Sequence, residues 1–223
     1  MTPSDREQLL QTILMNVAFD GWTRRSLEDA ARQQGISVGE LDVVFPGGAR
    51  AVLEAFSDWA DDQMLVAVAA DQQRFEALRV REKIAFVVEA RLRALEPHKE
   101  AVRRSLAVVA APQNAGLAGR LLCRTVDKMW RAAGDTSTDY NFYTKRGLLS
   151  GVYASTQLYW LNDRSEDHAD TWAFLERRIG EVLQVGRRFG GLVEQAGKVS
   201  EAPFRIAARL REGLGGLRRG AET

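Results

Sequence analysis

The sequence predicts an all-α protein, on three grounds. Apolar residues recur at spacings of three and four along nearly the whole chain of 223 residues, as on the buried face of an amphipathic helix. The strict alternation of apolar and polar residues that marks a half-buried strand is almost absent. Glycine and proline separate the periodic segments, at positions where helices are expected to end. A chain of this length can bury a substantial core.

The first four predicted helices are bounded by residues that cap or stop helices. A serine before a helix can accept a hydrogen bond from a backbone N–H of the first turn, and a glycine after it adopts the left-handed conformation that ends it. The expected N-caps of the first three helices are Ser4, Ser26 and Ser37. The expected stops are Gly21, Gly35 and the Pro-Gly-Gly segment 46–48. The fourth helix carries apolar residues at helical spacing, namely Val52, Leu53, Phe56, Trp59 and Met64.

Five longer helices follow, and proline or glycine limits three of them. Proline cannot continue a helix, so Pro97 and Pro112 mark ends, and Gly134 is a typical C-terminal stop. Thr138 or Asp139 is the expected N-cap of the fourth. The predicted ranges are 75–95, 98–110, 113–133, 139–162 and 167–189. A glycine-rich joint separates them from one last helix.

The second and third helices have the length and the turn of a helix–turn–helix motif. A DNA-reading helix needs basic side chains for the phosphates and polar side chains aimed at base edges. The candidate reading helix, residues 37–44, has no Lys or Arg and has two carboxylates, Glu40 and Asp42. Residues 1–60 hold five Arg and nine acidic residues, a net charge of −4. Since phosphate neutralisation supplies essentially all non-specific DNA affinity, we interpret the motif as a packing element and expect no DNA binding.

Residues 135–179 are rich in Tyr, Trp and Phe and in paired charges, but they carry no residue set that performs catalysis. One stripe of the helix 139–162 holds aromatic, small and apolar side chains, namely Tyr140, Tyr143, Gly147, Gly151, Ala154, Leu158 and Leu161. Small residues allow a neighbouring helix or a ligand to approach closely. Core packing explains such a stripe as well as a binding surface does, so both interpretations stay open.

Four short motifs resemble those of the coenzyme Q biosynthesis lipid-binding proteins. They are FDGW at 19–22, FPGGA at 45–49, NFYTKR at 141–146 and DTWAFLERRI at 170–179. The resemblance covers nearly the whole chain, is strongest over residues 112–179 and is weakest after 187. It implies that family's fold, a TetR-like helical bundle with an N-terminal helix–turn–helix and a C-terminal amphipathic helix. It also implies binding of isoprenoid lipids at a membrane.

The resemblance further implies a partner surface near residues 141–146. In that family a similar aromatic-Tyr-Thr-basic-Arg motif lies beside a surface patch implicated in contacting a di-iron hydroxylase. Carried over residue by residue, the candidate partner surface comprises Phe142, Tyr143, Lys145, Arg146 and Asp163. Phe142 departs from the family's pattern, in which Trp is frequent at this position.

A hydrophobic cavity for an isoprenoid ligand is expected among the middle helices. The candidate wall residues are large or apolar residues of those helices, namely Phe86, Leu106, Val109, Leu122, Met129, Trp130 and Tyr153. For each of them, ordinary core packing is the competing interpretation.

Residue sets that perform catalysis are scarce in this chain. The two histidines, His98 and His168, are both expected to be solvent-exposed. The sequence contains no Glu-x-x-His pair for a di-iron site, no Cys-x-x-Cys, no P-loop and no Gly-x-Ser-x-Gly. Its single cysteine, Cys123, excludes an internal disulfide. The expected function is therefore binding, with no catalysis, cofactor or metal.

The last predicted helix, residues 203–217, is amphipathic with a basic rim. Its candidate membrane contacts are apolar (Phe204, Ile206, Leu210, Leu214 and Leu217) and basic (Arg205 and Arg209). Residues 198–223 carry six basic and three acidic groups, a net charge of +3. An apolar stripe beside basic residues fits docking on an anionic lipid surface. A final helix of the bundle with a solvated polar face is the competing interpretation.

The expected domains are a helix–turn–helix-like subdomain of residues 1–66, a lipid-binding and dimerisation bundle of residues 67–190, and the joint with the membrane-binding helix, residues 191–223. The expected function is that of a homodimeric accessory protein of ubiquinone biosynthesis, cytoplasmic and peripherally bound to the inner membrane. It takes up an isoprenoid quinone precursor, or another lipid, and presents it to a hydroxylase. The sequence shows no signal peptide, transit peptide or membrane-spanning run. A TetR-type repressor with a hydrophobic effector is the alternative.

Overall fold

The computed structural model describes residues 2–136 and 140–182, and the secondary structure of these residues is helical, without a strand. The helices are α1 (Pro3–Asp20), α2 (Arg24–Gln33), α3 (Val38–Val44), α4 (Ala49–Ala70), α5 (Gln72–Ala77), α6 (Val80–Leu95), α7 (Lys99–Ala110), α8 (Ala115–Ala132), α9 (Tyr140–Asn162) and α10 (169–182). Short 3₁₀ turns precede three of them, α7, α8 and α10, at Glu96–His98, Pro112–Asn114 and Glu166–His168. The all-α prediction is confirmed.

The helix N-termini follow the expected capping chemistry, but two of the three expected caps are wrong. Ser37 caps α3 as predicted, because its hydroxyl accepts the backbone N–H of the third helical residue at 3.3 Å. The caps of α1 and α2 are Thr2 and Thr23 rather than Ser4 and Ser26. Threonine hydroxyls cap as serines do, and a proline at the first position of α1 has the fixed φ that suits a helix start.

The predicted helix 75–95 is two helices, separated by Leu78 and Arg79 in extended conformations. No glycine or proline marks this break. The backbone N–H of Arg79 instead donates to the Glu82 carboxylate at 2.8 Å, which satisfies a donor that a continuous helix would have bonded internally. The break therefore depends on a local capping contact that helical periodicity does not reveal.

Helix α4 is central to the bundle. It packs against α1, α6 and α8, while α1 also packs against α2 and α7, and α8 against α9. Fully buried side chains of this core include Leu9, Ile13, Phe45, Met64, Leu92, Met129 and Trp160. Among the described residues, those up to Arg177 belong to one compact unit and residues 178–182 to a second. Because α4 continues across residue 66, no break in helix marks the expected subdomain boundary, and the domain division stays a prediction.

Four predicted features lie outside the described residues. They are the expected N-cap of α9 (Thr138 or Asp139), the last part of the predicted helix 167–189 from residue 183, the glycine-rich joint, and the amphipathic helix 203–217 with its membrane contacts. Among the helices that are described, none is long and apolar enough to cross a membrane.

Candidate functional site

A cavity of about 250 Å³ lies among α4, α6, α7, α8 and α9. Most of its wall is apolar, formed by Leu53, Phe56, Leu95, Val102, Leu106, Val109, Ala118, Leu121, Leu122 and Ala154. Ala118 of α8 and Ala154 of α9 line it with short side chains, and larger side chains at these positions would take up part of its volume. An apolar cavity with a few convergent polar groups is the usual form of a small-molecule site. We therefore regard this cavity as the candidate functional site.

Four of the seven predicted wall residues line this cavity, namely Leu106, Val109, Leu122 and Tyr153. The other three lie elsewhere. Met129 is fully buried in the core, and the indole N–H of Trp130 donates to the Lys145 carbonyl at 3.1 Å. Phe86 packs against Phe75, with ring centroids 5.3 Å apart, beside a separate groove. These three residues were predicted because their side chains are large or apolar. The size of a side chain does not show which face of its helix lies toward the cavity.

A buried polar group lies beside the cavity, and of its members the sequence predicted only Tyr153 as a cavity residue. We call Ser57, Asp61, Arg91, Thr125 and Tyr153 the polar corner; all but Asp61 line the cavity. Arg91 donates from Nε to Asp61 Oδ1 at 2.7 Å and from Nη1 to the Tyr153 hydroxyl. Its Nη2 donates to the carbonyl and the hydroxyl of Ser57, at 3.3 and 3.2 Å. The Thr125 hydroxyl donates to Asp61 Oδ1 at 2.9 Å.

The helical phase of α6 contains the signal that could have revealed this group. Ile84, Val88 and Leu95 form a buried stripe of α6, and Arg91 falls within the same stripe. Asp61 interrupts the buried stripe of α4 in the same way. A charged residue in an apolar stripe needs a buried partner, because an uncompensated charge in the interior is costly. Two such interruptions of opposite charge therefore predict a buried ion pair.

Charge in the polar corner is balanced. The Arg91 and Asp61 side chains are only 5% and 0% exposed. Burial alone would lower the pKa of Arg91, but Tyr153 and Asp61 outweigh burial, so this pKa lies above its ordinary value. Burial raises the pKa of Tyr153, so the phenol keeps its proton. Lys128, near the surface, approaches the second oxygen of Asp61 at 3.5 Å.

Some residues of the predicted partner surface are exposed and others are buried. Tyr143 is 74% exposed. The side chain of Arg146 is only 12% exposed, and it lies 2.7 Å from Asp127 Oδ1 and 3.1 Å from Asp135 Oδ2. Lys145 reaches Asp135 Oδ1 at 2.7 Å. Arg146 therefore holds the start of α9 against the end of α8, which corrects its assignment to an exposed surface.

Asp163, another predicted member of that surface, is buried at the turn after α9, with 2% of its side chain exposed. Its carboxylate accepts the N–H and hydroxyl of Ser165 at 2.8 and 2.7 Å, and those of Thr171 at 2.9 and 2.5 Å. Burial raises the pKa of Asp163, but these hydrogen bonds outweigh burial, so the pKa lies below its ordinary value. Asp163 therefore shapes the turn into α10. The side chain of Phe142 lies outside the described ones.

Both histidines are half-buried, so the expected solvent exposure is wrong. His98 stands beside the rings of Phe56 and Trp59, with centroids 5.8 and 5.3 Å away, and burial lowers its pKa. His168 places Nε2 at 2.8 Å from Glu96 Oε2. Polar neighbours in the sequence therefore did not determine their environment. Among the described residues, no group of three or more His, Cys, Asp or Glu could hold a metal ion.

An exposed ion pair links the two helices of the helix–turn–helix. Arg24 of α2 donates to Glu28 Oε1 at 2.6 Å and to Asp42 Oδ2 of α3 at 3.0 Å. The valines of α3 at Val38 and Val43 are exposed, and α3 itself contains no basic residue. This arrangement agrees with a packing role for the motif. The absence of DNA binding stays a prediction.

Comparisons with known proteins support the resemblance noted in the sequence. The COQ9 family model matches residues 115–186. The mitochondrial ubiquinone biosynthesis protein COQ9 of Rattus norvegicus is 33% identical over 187 residues, which are 81% of this chain and 59% of that protein. The Homo sapiens protein of the same name is 32% identical over 187 residues, covering 81% of this chain and 58% of that protein. The chain thus spans less than two thirds of the length of these relatives.

A solved structure supports the predicted architecture. The TetR transcriptional regulator from Nitrosomonas europaea superimposes with a TM-score of 0.66 at 24% sequence identity. The match covers 80% of this chain and 98% of that one. The TetR-like fold is therefore confirmed, and at this identity the likeness concerns the fold alone.

Proposed function

Because the chain belongs to the COQ9 family, with a TetR-like fold, we propose that it is a lipid-binding accessory protein of ubiquinone biosynthesis. It takes up an isoprenoid quinone precursor and presents it to a hydroxylase, so it acts by binding rather than by catalysis. The observation that carries this proposal is the largely apolar cavity with its polar corner. Long-chain quinones are nearly insoluble in water, so access to the head group is the barrier that such a protein lowers.

The size of the cavity limits what it holds. At about 250 Å³ it lies slightly below the roughly 300–1,000 Å³ of typical small-molecule pockets. It therefore accommodates a head group or the first isoprene units rather than a complete long chain. Burial of each CH₂ group contributes about 0.8 kcal/mol, so even partial uptake supports measurable affinity.

Cavity filling tests the proposal. Ala118→Phe places a ring in the cavity wall, and it should abolish saturable binding of a fluorescent isoprenoid. Ala107→Phe introduces the same ring at an exposed position of α7 and should leave binding unchanged. Lipid extraction of the purified protein provides an independent measurement. If extraction yields no lipid and the wild-type protein shows no saturable binding, the proposal fails.

Presentation to the hydroxylase is proposed to use Tyr143, with Lys145 beside it. Exposed aromatic residues are frequent anchors of protein interfaces, and truncating such an anchor costs at least about 2 kcal/mol of binding energy. We expect Tyr143→Ala to weaken binding to the quinone hydroxylase more than tenfold while the melting temperature stays unchanged. Val66→Ala, which trims an exposed side chain of α4, is the control. Equal affinities of wild type and Tyr143→Ala would remove Tyr143 from the interface.

Homodimerisation and membrane docking complete the proposal. On α9, Gly147 and Gly151 are exposed along one face with Leu158, so a second copy can approach closely there. The tail helix 203–217 is proposed to dock peripherally on the cytoplasmic face of the inner membrane. Deleting residues 200–223 should abolish sedimentation with anionic vesicles and leave the stability of the bundle unchanged. Continued sedimentation of the truncated protein would locate the anchor elsewhere.

A TetR-type repressor with a hydrophobic effector is the second candidate, because the fold is that of a TetR regulator. The acidic character of α3 and the Arg24–Asp42 pair argue against it. Polarisation measurements with DNA from the gene's own upstream region decide between the two candidates. A sequence-specific complex of nanomolar affinity at moderate salt would favour the repressor.

A further inference from the structure

In the polar corner, no described residue accepts a hydrogen bond from the hydroxyl of Tyr153. Tyr153 is buried, with 3% of the residue exposed, and its hydroxyl accepts a hydrogen bond from Arg91. A phenol can accept and donate at the same time. Among the described residues, no group accepts the Tyr153 O–H, because its one polar partner, Arg91, has only donors.

A buried donor without an acceptor is costly, and native proteins seldom retain one. Tyr153 lines the cavity together with Arg91 and Ser57, so the free O–H belongs to the wall of a space that can hold a ligand. Burial keeps this phenol protonated, as the raised pKa of Tyr153 indicates. The donor is therefore present throughout the physiological pH range.

We propose that Tyr153 selects the ligand by donating its hydroxyl proton to an uncharged oxygen acceptor, such as a quinone carbonyl. This inference rests on the proposed lipid-binding function and deepens it, because it names the chemical class of the ligand's polar end. Arg91 is a positioning residue here. Its Nη1–H fixes the orientation of the phenol, so that the remaining hydrogen points away from the guanidinium.

The same geometry disfavours an anionic ligand. The charge of Arg91 is already compensated by Asp61 at 2.7 Å, and its Nη2 is bonded to Ser57. A phosphate or carboxylate entering the corner would lose its hydration without gaining an unpaired cation. The corner therefore suits a ligand that combines an apolar chain with a neutral polar head.

The test compares two ligands that differ only in their oxygens. One is a ubiquinone with two isoprene units, and the other is an alkylbenzene with the same prenyl chain and methyl groups in place of the oxygens. Titration of the protein should show that Tyr153→Phe weakens ubiquinone binding roughly three- to tenfold, the effect of one lost hydrogen bond. Its affinity for the alkylbenzene should be unchanged. Tyr159→Phe, which makes the same change on α9 outside the cavity, should alter neither affinity.

Each outcome separates this inference from the proposed function. If both ligands bind the wild type and Tyr153→Phe weakens them equally or not at all, the inference fails while lipid binding stands. If neither ligand binds the wild type, both fail. Tighter binding of farnesyl diphosphate than of the ubiquinone would overturn the preference for a neutral head.

A measurement on the wild type covers the case in which Tyr153→Phe does not fold. The infrared C=O stretching band of the bound ubiquinone should shift to lower frequency than in hydrocarbon solvent, because a hydrogen bond weakens the carbonyl bond. An unshifted band would overturn the inference without any variant.

Discussion

Arg24 and Arg91 each join two helices through an aspartate, but they do so in opposite environments. The Arg24 and Asp42 side chains are 46% and 52% exposed, whereas those of Arg91 and Asp61 are 5% and 0% exposed. Water solvates each partner of the first pair when the pair separates, so that pair contributes little to stability. In the second, separation leaves a bare charge in the interior. The same two residue types therefore form a surface contact of little energetic weight in the helix–turn–helix. Beside the cavity they form a buried pair that fixes the positions of α4 and α6.

Arg91→Met should have the largest effect. It removes the buried guanidinium from the Asp61 carboxylate and leaves Lys128, 3.5 Å away near the surface, as the remaining cation, so we expect the free energy of unfolding to fall by about 3 kcal/mol in urea denaturation. The double variant Arg91→Met with Asp61→Leu removes both charges and should recover most of that loss. A loss below about 1 kcal/mol in the single variant would contradict the comparison.

Arg146→Ala should come next. Arg146 is mostly buried and bonds two carboxylates, Asp127 and Asp135, so its removal should cost about 2 kcal/mol. Arg131→Ala provides a matched control, because Arg131 pairs with the same Asp127 from a side chain that is 71% exposed. Thermal unfolding of the two variants should therefore differ clearly. Equal melting temperatures would mean that Arg146 belongs to the exposed partner surface predicted from the sequence.

Asp163→Asn should cost about 1–2 kcal/mol at pH 7, because a carboxylate that accepts four hydrogen bonds is replaced by a neutral amide. The folded-state pKa of Asp163 lies below its unfolded value of about 3.9, so its contribution is complete above that pH and is lost as the pH falls through the folded pKa. The difference between wild type and variant should thus be constant from about pH 7 to 5 and shrink in stronger acid. A difference that grows on acidification would refute this sign.

Arg24→Met should have the smallest effect, even though it repeats the substitution made at Arg91. The variant should melt close to the wild type, and added salt should reduce the remaining difference, because exposed charges are screened. Differential scanning calorimetry at low and high salt measures the change in melting temperature and its dependence on salt. A loss comparable to that of Arg91→Met would mean that exposure does not explain the contrast between the two pairs.

Much of the fold follows from local sequence. Helical spacing, together with Pro97, Pro112 and Gly134, predicts most helices to within a few residues of their observed ends. The Ser37 cap is also predicted correctly, whereas Ser4, which is likewise followed three positions later by a glutamate, is not a cap. The break at Leu78 and Arg79 is not predicted, because it depends on one side-chain contact and on no glycine or proline.

The candidate site follows from sequence only in part. Leu106, Val109 and Leu122 line the cavity as expected, since an apolar residue on a middle helix often faces the interior. Phe86 and Met129 do not, although they are equally apolar. The choice between core, groove and cavity depends on how the helices rotate and cross, and a single helix does not encode those relations.

The sequence by itself determined the helical class, most helix boundaries and the resemblance to the COQ9 family. Tertiary structure decided which polar side chains became buried partners. Arg91 meets Asp61 and Tyr153 only because α4, α6 and α9 converge, and those residues are 30 and 62 positions away along the chain. Helix capping and helical periodicity involve residues a few positions apart, so they can be predicted from the sequence alone. Burial and charge compensation depend on which distant groups share one interior, and only the packed helices establish that.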